Sequence, residues 1–425
     1  MSKPYVTLLG KAVRKLAQMR GGGSALPGLF VEKIDPDFIR RTLAQLPEGI
    51  VVVSGTNGKT TTTKMVVELL ESQGLRVFTN RTGSNFTRGV AAALLGEVDT
   101  KGNLDADIAV LELDEAHAVH FIKAVPPRYS LLLNVMRDQL DRFGEIDTTA
   151  KLLARIALAT EETVVLNRED PRVASIATLL KDQQVSYFGL TPKLAKLFPN
   201  DDDMRAGAGN KKTSGLPADV VLANINGTSA EFQLGDHSIT TALLLSGVYN
   251  IYNAAAALAL VRTIVKEDHL DEAKLIDALS KVTPAFGRGE TLTIGGYPLE
   301  LVLVKNPSGF RLSLSSFDPK GVSTMIAIND NYADGRDMSW LWDVEFDSLQ
   351  PEGVLEVGGI RAYDMALRLQ YDEVTISHVE PDLALALQHF LTTSGSGPKR
   401  IFCTYTAMLA LRRELSKITD VEVIS

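Results

Sequence analysis

Nine residues, Val53-Ser54-Gly55-Thr56-Asn57-Gly58-Lys59-Thr60-Thr61, constrain this chain more than any other stretch of it. They follow an apolar run at residues 50–53 that reads as a buried strand. They open a segment, residues 60–73, in which Met65, Val66 and Leu69 have helical spacing. A glycine turn between a buried strand and a helix is where a phosphate-binding loop sits. Its glycines let backbone N–H groups turn toward phosphate oxygens, Lys59 supplies a point charge to the β and γ phosphates, and the Thr60 hydroxyl reaches Mg²⁺. Gly55, Thr56, Asn57, Gly58, Lys59, Thr60 and Thr61 are therefore the candidate nucleotide-binding residues. Val53 stands where the general pattern G-x-x-x-x-G-K-[ST] has its first glycine.

A chain of 425 residues exceeds one ordinary core, so two or three domains are expected. The composition, 45% hydrophobic and 23% charged, is that of a globular protein. A net charge of -8 and only 6% aromatic residues argue against a nucleic-acid partner, which calls for basic surface and stacking rings. The single cysteine, Cys403, makes neither an internal disulfide nor a four-cysteine zinc site, as suits a reducing cytoplasm. No stretch is apolar enough to span a bilayer, and the N-terminus does not read as a signal peptide, so the expected location is cytoplasmic. A first helix, residues 5–20, sets Lys11, Arg14, Lys15 and Arg20 beside Val6, Leu8, Leu9, Val13 and Leu16. That pattern serves either packing on its own domain or peripheral binding at the inner face of the plasma membrane.

Strand, turn, helix and strand alternate between residues 50 and 125, the pattern of a parallel sheet covered by helices. Further strands are expected at residues 75–79, 108–113, 129–134 and 163–166, giving a doubly wound nucleotide-binding core. Residues 191–215 break the pattern with Pro199, Asn200, three aspartates and a Gly-Ala-Gly-Asn-Lys-Lys stretch, a loop-like insertion. Polar strands at residues 220–239 lead to an alanine-rich helix at residues 248–265 that carries Tyr249, Asn250 and Asn253 at its start. Clustered glycines at residues 287–296 mark a boundary. Beyond it, strands at residues 299–304, 325–328, 353–357, 373–376 and 400–404 alternate with helices in a second, smaller α/β domain.

The metal needs a counter-ligand, and Leu111-Glu112-Leu113-Asp114-Glu115 supplies carboxylates at the carboxyl end of a buried strand, where open α/β sheets place their sites. Glu112 is the candidate beside Thr60. Arg137-Asp138-Gln139-Leu140-Asp141-Arg142-Phe143-Gly144 reads equally as a salt-bridge network at a helix end or as a substrate contact. His117 and His120, three apart on a helix, lack a third spaced ligand and read as surface residues, and Cys403 reads as a small core side chain.

At Gly55-Thr56-Asn57-Gly58-Lys59-Thr60-Thr61 the chain resembles the Mur ligase and folylpolyglutamate synthetase superfamily, whose G-T-N-G-K-T loop does not require the earlier glycine. Asn167 to Pro171 is similar to that family's N-x-D-D-P turn. Gly247-Val248-Tyr249-Asn250-Ile251-Tyr252-Asn253-Ala254 is similar to its G-x-x-N-x-x-N-A segment, which implies an adenine-reading role for Asn253 with Asn250 beside it. Arg288, in Phe286-Gly287-Arg288-Gly289, matches an ATP-contacting arginine. Within the superfamily the chain resembles the MurT family over nearly its full length. The resemblance takes in a basic N-terminal helix ending in a Leu26-Pro27-Gly28 turn, Glu112 to Glu115, Arg137 to Asp147, Lys305-Asn306-Pro307, and above all Asn329-Asp330-Asn331-Tyr332-Ala333-Asp334-Gly335-Arg336-Asp337-Met338-Ser339-Trp340.

The resemblance implies a Mur ligase-type central ATPase domain at residues 1–290, with a doubly wound, mainly parallel sheet, and a Rossmann-like domain at residues 291–425 that contacts a partner. It implies an ATP- and Mg²⁺-dependent carbon–nitrogen ligase of peptidoglycan biosynthesis. The substrate would be lipid II, whose D-glutamate α-carboxylate becomes D-isoglutamine through an acyl phosphate, with ammonia from a GatD-type glutamine amidotransferase subunit. Lys59 and Glu112 would act in the ligase site, and Asp337, with Asp334 as the alternative, would complete the partner's Cys-His pair; a third reading has both aspartates only capping the following helix. The absence of a UDP-binding domain ahead of the loop suits a substrate presented from a lipid. Two departures stand out: residues 191–215 carry no cysteine where such chains often have a zinc ribbon, so no zinc is expected, and Lys151 is poorly spaced for the carbamylated lysine of several Mur ligases. Two rival readings share the ATP site: a folylpolyglutamate synthetase-like amino-acid ligase and an ATP-binding scaffold that regulates a glutaminase.

Overall fold

Strand β1, Ile50–Ser54, is buried at all five positions, and so are β3, Ile108–Glu112, and β5, Thr163–Asn167, as expected of strands covered on both faces. The computed structural model describes residues 4–19, 26–80, 86–137, 146–198, 200, 215–245, 247–283 and 288–421. They fall into two compact units. The first comprises Met1–Val135, Ile146–Leu244 and Asn250–Val282, and the second Met136–Glu145, Leu245–Tyr249 and Thr283–Ser425.

The first unit adds β2 (Val77–Thr79), β4 (Tyr129–Leu132), β6 (Gln184–Leu190), β7 (Val220–Asn226), β8 (Ser229–Leu234) and β9 (His237–Ala242). Its nine strands run in the order β2-β3-β1-β4-β5-β6-β7-β8-β9. All neighbours from β2 to β7 are parallel, whereas β7, β8 and β9 form an antiparallel meander. The chain leaves β1 toward β2 on one side and β4 toward β5 on the other. The carboxyl ends of β1 and β4 thus flank a topological switch point, where open sheets of this kind bind ligands.

The second unit has six strands: β10 (Arg288–Ile294), β11 (Tyr297–Leu303), β12 (Ser323–Ala327), β13 (Val354–Gly358), β14 (Ile376–Glu380) and β15 (Lys399–Cys403). Their order is β10-β11-β15-β12-β13-β14, parallel except for the β10–β11 hairpin. Alternate residues feed two cores, one on each face. Ile326 and Phe402 join Phe310, Trp340 and Phe346, while Met325, Ile401 and Cys403 join Leu387, Phe390 and Met408.

Several sequence expectations need correction. Leu26-Pro27-Gly28 is the first turn of a helix, Leu26–Ile34, rather than a turn, because proline is tolerated where the helical N–H has no partner. Gly295 and Gly296 make the turn between β10 and β11, both at positive φ, and Gly287 lies outside the described residues. The strand expected at residues 373–376 lies at Ile376–Glu380, since Glu373 takes a left-handed turn at φ 57°. β6 escaped notice because its amino end is exposed and polar. Of the expected insertion, Pro192–Leu197 forms a short 3-10 turn and residues 201–214 lie outside the described residues. Val6 and Thr7 of the first helix, Pro4–Met19, are buried against its own unit while Tyr5, Leu8 and Leu9 are exposed. Among the described residues no helix is long and apolar enough to cross a membrane.

Candidate functional site

β1 ends at Ser54, whose hydroxyl donates to Leu113 O at 2.9 Å, and the chain then turns through the glycine loop. Gly55 has φ +137°, and a Cβ there would come within 3.0 Å of Asn134 N and 3.1 Å of Asn134 O, so only glycine fits against the strand end beside it. Asn134, two residues past β4, holds the loop by both backbone and side chain. Its carbonyl accepts from Thr56 N at 3.1 Å, its Oδ1 accepts from Asn57 N at 2.9 Å, and its Nδ2 donates to Asn57 O at 2.9 Å. Gly58, at φ +89°, is the N-cap of the Lys59–Ser72 helix, so free backbone N–H groups and the positive helix end face the loop. A Cβ on Gly58 would lie 2.8 Å from Asn253 Oδ1 and 3.0 Å from its Nδ2, which places the Asn253 amide directly on the loop.

The charged groups converge at the same point. Lys59 is buried; its Nζ donates to Gly55 O at 2.6 Å and pairs with Asp114 at 3.0 Å and Glu115 at 3.7 Å. Burial pulls the ammonium pKa down, but the carboxylates of Glu115, Asp114 and Glu112 outweigh it and hold the group well above the ordinary lysine value. The lysine is therefore a permanent cation. Beside it the Thr60 hydroxyl donates to Glu112 Oε1 at 2.8 Å. A hydroxyl and a carboxylate in contact at the carboxyl end of β3 form a hard-oxygen donor set of the kind Mg²⁺ takes. With two glycines whose Cβ atoms would fill the loop, the residues present fit a magnesium nucleotide.

Sequence reasoning missed the supports of this site. Asn80, buried just after β2, accepts from Glu112 N at 3.0 Å and donates to Glu112 O at 2.9 Å, fixing the strand end that carries the carboxylate. Asn167 donates to Leu133 O at 2.8 Å and accepts from the Tyr252 hydroxyl at 2.6 Å. Tyr252 also packs against Phe188 and Phe198, so the Val248–Ile264 helix is pinned to the end of β5 with Asn253 turned to the loop. Asp170 caps the short helix after it, accepting from Arg172 N and Val173 N, and reaches Val135 N at 2.7 Å next to Asn134. Burial, only partly offset by those bonds, pushes its carboxyl up to about 6. A lone Asn or Asp between strands gives no periodic signal; only the two family-like turns drew attention to Asn167, Asp170 and Tyr252.

The remaining candidates separate. Asn250, Asn253 and the loop lie in the first unit. Arg288 opens β10 in the second unit, and its side chain lies outside the described residues, as do residues 138–145 of the Arg137 to Asp147 block. Asp334 is buried and consumed within its own unit, accepting from Thr406 N at 2.7 Å, Thr406 Oγ1 at 2.5 Å and Asn331 N at 3.0 Å. Asp337 is partly exposed and accepts from Ser339 N at 2.9 Å; hydrogen bonds from Ser339 hold its carboxyl below the usual range. Asn306 caps the Pro307–Ser316 helix through Gly309 N. His117 packs edge-on against Phe86, burial lowers its pKa, and it joins no three-ligand cluster among the described residues. Lys151 is exposed. Cys403 is fully buried in β15, and burial pushes its thiol far up, so it is a core side chain.

Comparison with known proteins joins these observations. The Mur ligase middle domain family matches residues 53–261, and the MurT ligase C-terminal family matches residues 303–408. The lipid II isoglutaminyl synthase (glutamine-hydrolyzing) subunit MurT of Streptococcus pneumoniae is 30% identical, covering 96% of each chain. Among solved structures, MurF from Acinetobacter baumannii superposes with a TM-score of 0.68 at 20% identity over 91% of this chain and 80% of that one. MurF from Thermotoga maritima in complex with ADP gives a TM-score of 0.67 at 20% identity over 90% and 84%.

Proposed function

The chain belongs to the MurT family of Mur ligases, which are ATP-dependent ligases, and from that premise we propose that it amidates the D-glutamate α-carboxylate of the lipid II stem peptide. The product is D-isoglutamine, formed through an acyl phosphate. Ammonia comes from a GatD-type glutaminase subunit.

The observation that carries the ATP half of this reading is the convergence of Lys59, Thr60 and Glu112 on a glycine loop whose backbone is held by Asn134. Bound as its magnesium complex, ATP supplies the phosphoryl group that makes the carboxylate carbon electrophilic. Loop N–H groups and Lys59 would bind and orient the phosphates, and Thr60 with Glu112 would hold the metal. Asn253 and Asn250 would border the nucleotide, and Arg288 would contact ATP. Catalysis of this kind rests on positioning and charge stabilisation rather than on a protein nucleophile.

The ammonia half has different support. Free ammonia is scarce at neutral pH, and Cys403 is buried with its thiol held protonated, so it is unsuited to attack glutamine. A separate subunit would provide the cysteine and histidine. Asp337 is better placed than Asp334 to complete that pair, because its carboxylate is partly exposed while Asp334 is tied to Thr406 and Asn331. Orienting a partner's imidazole is what a third triad member does.

The purified chain, given ATP, Mg²⁺, ammonium and lipid II, should convert the stem-peptide acid to the amide with release of ADP, and should do nothing with glutamine alone. Use of an amino acid in place of ammonia would move the reading to a folylpolyglutamate synthetase-like ligase. ATP binding without lipid-dependent turnover would move it to a regulatory scaffold.

A further inference from the structure

On the second unit a cluster with no part in the proposed ligation brings together Glu356 of β13, His378 of β14 and His389 of the Leu383–Thr393 helix. Glu356 and His378 are register partners on adjacent parallel strands, and the helix lays His389 over both. His378 Nδ1 lies 3.1 Å from each carboxylate oxygen, and His389 Nδ1 lies 2.6 Å from Oε2. The two rings stand 4.1 Å apart between centroids, and one donor atom from each of the three residues lies within 4.8 Å of the others.

The surroundings make this more than a hydrogen-bonded pair. The Glu356 side chain is 0% exposed, and no lysine or arginine pairs with it among the described residues. A buried carboxylate needs a compensating positive charge. Among the described residues its ion-pair partners are the two imidazoles, both by Nδ1, with side chains 42% and 38% exposed. Zinc bonds of about 2.0–2.2 Å in a tetrahedron set donor atoms roughly 3.3–3.5 Å apart. The two nitrogen–oxygen separations, 3.1 Å and 2.6 Å, widen to that spacing if the half-exposed rings withdraw from the buried carboxylate by under about 1 Å. Two imidazoles and one carboxylate select zinc-class transition metals over Mg²⁺ or Ca²⁺, and three protein ligands leave one position for water or an exogenous group.

We propose that Glu356, His378 and His389 bind one divalent transition-metal ion of the zinc class. The ion clips the edge strand β14 and the Leu383–Thr393 helix to β13, and so ties down the exposed edge of the six-stranded sheet. The site is independent of the ligase reading, since all three ligands lie in the second unit and the phosphate loop in the first.

The test uses the full-length, tag-free chain without nucleotide, titrated with Co²⁺ and followed by its visible absorption, then with Zn²⁺ in competition. One equivalent of Co²⁺ should give the intense band of a four-coordinate ion, displaced by Zn²⁺, and Zn²⁺ should raise the thermal midpoint. His378→Ala and His389→Ala should each weaken binding at least about tenfold and abolish the thermal shift. Those variants alter half-exposed side chains, so they remain testable if Glu356→Gln fails to fold. Stoichiometric binding that survives the His378→Ala/His389→Ala double substitution, or that is lost in His117→Ala/His120→Ala instead, overturns the proposal. Absence of a one-equivalent complex in the unaltered chain also overturns it, leaving a hydrogen-bonded histidine pair.

Discussion

The Thr60 hydroxyl donates to Glu112 Oε1 across 2.8 Å, although the two residues are 52 apart in sequence and sit on different elements. Parallel pairing of β1 with β3 sets Val53 opposite Glu112, which brings the start of the helix after β1 to the carboxylate that ends β3. In the proposed function this contact would preform a donor pair for the magnesium of the bound nucleotide.

Thr60→Val removes the donor oxygen and leaves a side chain of similar size. ATP-dependent amidation should fall on the order of 10²-fold, as when one preorganised group at a transferring phosphoryl is lost. Lys59→Ala should fall at least as far, and circular dichroism should show both variants folded. Unchanged turnover in a folded Lys59→Ala protein would remove the phosphate-loop assignment.

Asn80 acts through Glu112 and is a positioning residue. Asn80→Ala leaves the Glu112 N–H and C=O without their buried partners, costing about 1–3 kcal/mol for each group. Beyond the drop in stability, the Mg²⁺ concentration for half-maximal activity should rise, with activity recovering at high Mg²⁺. A stability loss with an unaltered Mg²⁺ dependence would leave Asn80 a purely structural residue.

Asp337→Asn keeps size and removes the charge that favours an imidazolium. Glutamine-driven amidation by the assembled complex should fall steeply while ammonium-driven amidation persists. Asp334→Asn should instead lower the melting temperature, since Asp334 accepts from Thr406 and Asn331 inside its own unit. Equal loss of both activities in Asp337→Asn would place that residue in the ligase site, and retention of both would leave it capping the turn at Ser339.

Asp170 gives a pH signature. Its folded pKa, about 6, lies above the ordinary 3.8, so the unfolded chain releases this proton first as pH rises. The folded state binds more protons between those values, and this residue's contribution therefore lowers stability as pH climbs from 4 to 6, by up to about 3 kcal/mol. Below that window both states are protonated and the penalty is absent. Denaturant unfolding at pH 4, 5 and 6 should show a flatter pH dependence in Asp170→Asn, whose absolute stability falls because one oxygen cannot serve Val135, Arg172 and Val173 together. An identical pH slope in the two proteins would show that Asp170 is not the group responsible.

Local signals were legible in the sequence and contact signals were not. The order Val53 to Thr61 determined the glycine loop between β1 and the Lys59–Ser72 helix, because strand burial, glycine turn and helix start are each written in consecutive residues, and the positive φ of Gly55 and Gly58 follows from them. Apolar runs likewise marked β1, β3, β4 and β5, whose burial on both faces leaves no polar alternation to misread. The tertiary structure alone decided what holds the loop: Asn134 and Asn80 matter because strand order and register bring them there. It also separated Asp334 from Asp337, three residues apart in one motif, by giving Thr406 to the first. The histidines show the limit most clearly. Only His117 and His120 stood out along the chain, yet His378 and His389, 22 and 33 residues beyond Glu356, meet it because β13 pairs with β14 and a helix folds back over them. A ligand set assembled from three elements has no period, so its chemistry exists only once the sheet has set its register.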